Sequence, residues 1–163
     1  MSRLLFVLLA AALPLQALAK PWNGIHPGVS SSLDVIGKFG EPTRKVTAKG
    51  QEILVYSGSA AITGTVQAQF KCNLETHVVE RIDVYPAPII PVAAVEKSYG
   101  RECDVMEPTE PCYFKKQSAA KHAYFLYLKL GLAVFFKDDG KTVQSLTFLP
   151  SGGGPTATAS TSD

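Results

Sequence analysis

"SSLDVIGKFGEPTRKV", residues 31–46, decides the fold. Ser31 and Asp34 make a capping-box-like start, with Asp in place of the usual Glu. Leu33, Val35, Ile36 and Phe39 give one apolar face at helical spacing. Lys38 falls in the last turn, where the helix dipole favours a cation. Gly40 suits the left-handed position after a helix, and Pro42 prevents continuation. A short helix, a stop and a strand over 43–48 are therefore expected.

The phrase returns. "PVAAVEKSYGRECDV", residues 91–105, places Val92, Val95 and Tyr99 before Gly100, as Ser32, Val35 and Phe39 precede Gly40. Both helix-stop glycines are followed by strand patterns. In the first half these are "TRKVTA" and "EILVYS" about a Lys49-Gly50 turn, then "GTVQAQFKC" and "VVERIDVY". Val66, Ala68, Phe70 and Cys72 alternate with Thr65, Gln67, Gln69 and Lys71, and Ile82 and Val84 alternate with Arg81 and Asp83. Such alternation predicts an antiparallel sheet with one face covered and one open. In the second half come "CYFKKQ", "AYFLYLKL", "LAVFFK" and "TVQSLTFLP", with Asp139-Gly140 as a tight hairpin turn. The apolar run 123–136 has Lys129 and Gly131 near its centre and alternates, so it reads as two strands and not a membrane helix.

The expected fold is α+β: two tandem helix-then-antiparallel-sheet units, 20–87 and 88–150, with both helices on one face of the combined sheet. Residues 1–19 read as a signal peptide. Arg3 is followed by the apolar run 4–13 and by Ala17-Leu18-Ala19, with no lipobox Cys. The expectation is an exported chain, periplasmic or secreted, with no integral membrane segment after processing. Residues 151–163, "SGGGPTATASTSD", have the composition of a disordered tail.

Gly28-Val29-Ser30, Val35, Phe39-Gly40, Pro42 and a strand ending in Tyr56 resemble the repeat of the SmpA/OmlA (BamE) outer-membrane assembly lipoproteins. The tandem arrangement resembles the beta-lactamase inhibitory protein family. The resemblance implies a non-catalytic protein-binding role in the cell envelope or, as an alternative, inhibition of an extracellular enzyme. It also implies a bond between a Cys just after the helix-ending Gly and one on the next strand, and Gly100, Cys103 and Cys112 fit that pattern.

Side-chain chemistry gives the same Cys pairing: Cys103 and Cys112 flank a Pro-rich turn, leaving Cys72 as a buried thiol. His26, His77 and His122 lack metal-ligand spacing, and Asp138 and Asp139 belong to a turn. The net charge, +2, shows no basic stripe for nucleic acid. No catalytic set and no cofactor is expected. A small hydrolase or ligand carrier, with a His or an acid in an apolar pocket, is the reading from another class.

The candidate partner-binding residues come from parity. With Leu126, Leu128 and Leu130 facing inward, Phe125, Tyr127 and Lys129 face out. With Leu132, Val134 and Phe136 inward, Phe135 and Lys137 face out. Aromatics on an open sheet face mark interaction sites. The alternative is that this face is covered, by the first unit or by the segment "KPWNGIHP" through Trp22.

Overall fold

The computed structural model describes residues 20–104, 110–118 and 122–150. The proposed signal peptide, the tail and part of the Cys103–Cys112 turn lie outside the described residues. Among the described residues the fold is α+β, with two helices and one antiparallel eight-stranded sheet. No helix among the described residues is long and apolar enough to cross a membrane.

Helix α1 spans Ser32–Phe39. Its start is a complete capping box: Ser31 Oγ accepts from the Asp34 N–H, and the Asp34 carboxylate accepts from the Ser31 N–H at 2.7 Å. Both orphan donors are thereby satisfied. Strands β1 (Arg44–Ala48), β2 (Gln51–Ser57), β3 (Thr65–Asn73) and β4 (Val79–Pro86) follow. Then come α2 (Val92–Tyr99), β5 (Phe114–Gln117), β6 (Ala123–Tyr127), β7 (Leu132–Phe136) and β8 (Val143–Phe148).

Strand order is β1-β2-β3-β4-β8-β7-β6-β5, so β4 and β8 meet in the middle. The hydrogen bonds of the two halves run in parallel. Val79 N–H donates to Ser30 O, and Val143 N–H to Ile90 O; Ser32 N–H donates to His77 O, and Val92 N–H to Lys141 O. A short 3-10 turn follows β2, at Gly58–Ala60, and another follows β6, at Leu128–Leu130.

One face of the sheet carries the core. Val35 and Val95, from the two helices, share one apolar cluster with Leu54, Phe70, Ile82, Phe148, Leu132 and Tyr127. Those six sheet residues form a row across the sheet by direct cross-strand pairing. Trp22 packs on Phe39 and Phe70, so the N-terminal segment lies on this core face and not on the opposite one. That removes it as the cover for the open face.

The parity expected for β6 is wrong. Phe125 pairs with Val134 and Tyr127 with Leu132, so both aromatics stand on the core face. Tyr127 is 0% exposed and Phe125 8%, while Leu128 is 47% exposed. The strand stops at Tyr127 and the 3-10 turn takes Leu128–Leu130 out of register, with Gly131 left-handed at its end. The three leucines therefore do not share a face. A tyrosine can occupy the core because its hydroxyl finds an acceptor: Tyr127 donates to the carbonyl of Gly100 at 2.8 Å. Phe125 is held by Tyr113, whose ring stacks on it at 3.6 Å.

Candidate interaction face

Gly40 and Gly100 end the helices, with φ of 78° and 102°. Cys103 and Cys112 form the disulfide, and Cys72 is a buried free thiol. Burial, then the nearby Glu52 and Glu80 charges, push the Cys72 thiol up to about 12. His77 and His122 are exposed, and His122 touches Asp138 at 3.6 Å. Lys129 and Lys137 are also exposed, at either end of β7. Of the three aromatics assigned to the partner face, Phe135 is on the sheet face opposite the core; Phe125 and Tyr127 are not.

That opposite face has its own order. Its middle row runs Val55, Gln69, Asp83, Thr147, Ala133 and Leu126 by direct pairing. Most of this row is buried, with Asp83 and Thr147 each 3% exposed. Longer side chains flank it on both sides. On one side stand Ile53, Lys71 and Arg81. On the other stand Tyr85, Phe135 and Tyr124, all half-buried; Tyr85 follows Val84, the partner of Leu146, and so lies beside Ser145, the partner of Phe135.

Asp83 is the polar centre. Arg81 Nε donates to its Oδ1 at 2.8 Å, Thr147 Oγ1 donates to the same oxygen at 2.7 Å, and Lys71 Nζ lies 3.0 Å from Oδ2. Burial pulls the Asp83 carboxyl up. The Arg81 charge and hydrogen bond, the Thr147 hydroxyl and Lys71 outweigh it and hold the carboxyl below its usual range. Lys71 and Arg81 are themselves a directly opposed cross-strand pair. Like charges so placed oppose sheet pairing, and the single carboxylate compensates only one of them.

Tyr124 and Phe135 are also directly opposed, on β6 and β7. Their rings are 4.9 Å apart and 26° from parallel. Adjacent strands lie about 4.8 Å apart, so the rings face each other across the strands and stand on edge above the sheet. They form a ridge and not a flat platform.

The sequence contained part of this face. The alternation of "QAQFKC" and "ERIDVY" sets Gln67, Gln69, Lys71, Arg81 and Asp83 apart from the core set. Thr147 became visible only with the register of β8, which depends on pairing with the distant β4, and the stacked pair only with the register of the β6–β7 hairpin.

No protein-family model matches the chain, and no curated protein matches it. Among solved structures, the chain is similar to a DUF4309 family protein, YjgB, from Bacillus subtilis, at 14% identity, with 78% of this chain and 82% of that one covered and a TM-score of 0.49. At that level the likeness carries no argument about function.

Proposed function

We propose that the chain is an exported, non-catalytic protein-binding module of the cell envelope, built from two tandem repeats, 20–87 and 88–150. It presents the sheet face opposite its core to a protein partner. The repeat reading rests on the matched bonds of the two halves. Helix ends at Gly40 and Gly100 receive the hydroxyls of Tyr56 and Tyr127, each at 2.8 Å, and the anchoring bonds of Ser30 and Ile90 correspond likewise. The BamE-like and inhibitor-like resemblance of the sequence fits such a duplication. The disulfide suits an oxidising compartment.

One observation carries the binding reading. On the opposite face, half-buried aromatics and partly exposed cations rise beside a buried central row, with Phe135 and Tyr124 already paired in a fixed stack. Rigid aromatics give large contact area at small entropic cost, and binding hot spots concentrate there. Tyr85, Tyr124 and Phe135 therefore replace Phe125 and Tyr127 as the central contacts, with Lys71 and Arg81 across the buried row from them. An extracellular enzyme inhibited by the chain would use the same face.

The test is photo-crosslinking in cells that export the protein, with a benzophenone amino acid at Phe135 and, separately, at Leu33. Leu33 is 75% exposed and lies on the outer side of α1. Adducts to a discrete protein from position 135 and none from position 33 support the proposal. The reverse pattern overturns the choice of face.

A further inference from the structure

We infer that the partner segment seated on this face is acidic, with carboxylates that engage Arg81 and Lys71 and an apolar side chain against the Phe135–Tyr124 ridge. The inference rests on the reading of this face as a protein-binding surface and adds the partner's chemistry.

The argument is one of charge and hydrogen-bond capacity. Arg44, Lys71, Arg81 and Lys116 stand on the face through their strand positions. Against them are Asp83 and Glu80, and both are already occupied. Glu80 accepts from Gln51 at 2.7 Å and from Asn73 at 3.0 Å, and Asp83 accepts from Arg81, Thr147 and Lys71. The cations are not saturated in return. An Arg fork has five N–H donors and a Lys ammonium three, and Asp83 takes only part of each set. The Arg81 side chain is 38% exposed and that of Lys71 23%, so the remaining donors reach the surface.

Asp83 also fixes where those donors point. It is 3% exposed, and its neighbours lie on three adjacent strands, so the two cations are held in place before a partner arrives. Folding alone does not favour two cations directly opposed across β3 and β4. A second carboxylate, supplied from outside, would neutralise the excess and form charge-assisted bonds at a partly desolvated place. The edge-on stack of Tyr124 and Phe135 offers no flat ring face for a sugar, which favours a peptide chain over an anionic glycan.

The experiment uses the full mature chain, isotope-labelled, and follows its amide resonances. The probe is the capped peptide Glu-Glu-Leu-Phe-Glu-Glu. Its controls are the same peptide with each Glu replaced by Gln or by Lys, and heparin. The acidic peptide should shift resonances on β3, β4, β6 and β7 around Lys71, Arg81 and Phe135. The Gln peptide should bind at least about tenfold more weakly, and added salt should weaken the acidic one. Arg44→Gln and Lys116→Gln, which leave Asp83 and its neighbours untouched, should each cost about two- to fivefold in affinity. Lys97→Gln, an equal charge change on α2, should cost less than either. No shift with the acidic peptide, equal binding of the Glu and Gln peptides, preference for the Lys peptide, or heparin bound in preference to the acidic peptide each overturns the inference. Crosslinks from position 135 alongside any of those results leave the binding face standing and remove only the acidic partner. Absence of crosslinks there removes the face itself.

Discussion

Tyr127 donates its hydroxyl to the carbonyl of Gly100, the residue that ends α2, at 2.8 Å. Tyr56 does the same to Gly40 behind α1. Each bond ties a helix end to a strand and satisfies a carbonyl that the helix leaves unpaired.

Removing that hydroxyl should therefore cost stability at both ends. Tyr127→Phe and Tyr56→Phe should each lose about 0.5–1.5 kcal/mol, the usual net value of such a bond. Tyr127→Ala should lose about 3–5 kcal/mol, as for other large buried aromatics. Leu128→Ala, at a position 47% exposed, should lose well under about 1 kcal/mol. Urea midpoints of the four variants check the set. A Tyr127→Ala protein that melts like wild type would remove Tyr127 from the core.

The two helix-stop glycines should differ. Both have positive φ, so any side chain is strained there. At Gly40 an added Cβ meets nothing within 4 Å, whereas at Gly100 it collides with the carbonyl oxygen of Pro111, beside the disulfide. Gly40→Ala should cost more than about 1 kcal/mol. Gly100→Ala should cost clearly more, because backbone must move as well. Equal thermal shifts for the two variants would contradict this.

The helix stops, the eight strands and the Cys103–Cys112 pair were legible because each is local: a cap, a turn residue or an alternating run. The faces of β6 were not. Its alternation, "AYFLYLKL", allows either set inward, and the choice was made by a 3-10 turn after Tyr127 and by an acceptor at Gly100. Gly131 marks the end of the turn but not where the strand stops, and the acceptor at Gly100 lies far away in sequence. The Asp83 centre was missed for a related reason: Arg81 and Asp83 lie two residues apart in sequence, but Thr147 comes from β8.

Asp83 should make stability depend on acid. Its folded-state pKa is lowered, so its contribution is present above the unfolded carboxylate value of about 3.9 and fades as pH falls through the folded value. Asp83→Asn should be less stable than wild type at pH 7, and the gap should close below about pH 4. The neutral-pH loss should fall short of the roughly 3–5 kcal/mol of a fully buried pair, because Arg81 is partly exposed and screened. Denaturant titrations across pH provide the check; a constant gap would show that the carboxylate charge is not involved.

Cys72 should resist thiol reagents. It is 0% exposed and its thiol is pushed up to about 12, so at pH 8 the reactive thiolate is scarce in the folded chain. Labelling should follow unfolding and accelerate with urea in step with it. Rapid labelling of folded protein would place the thiol at the surface.

Affinity for a partner crosslinked at position 135, measured by calorimetry with Phe135→Ala against Leu33→Ala, tests the binding face most directly. Truncating a central aromatic contact typically costs at least about 2 kcal/mol. Phe135→Ala should therefore bind at least tenfold more weakly, by the roughly 1.4 kcal/mol per decade of affinity, while its melt shows it still folded. Leu33→Ala should bind like wild type. Full affinity in Phe135→Ala and loss in Leu33→Ala would place the partner on the helix side and contradict the account.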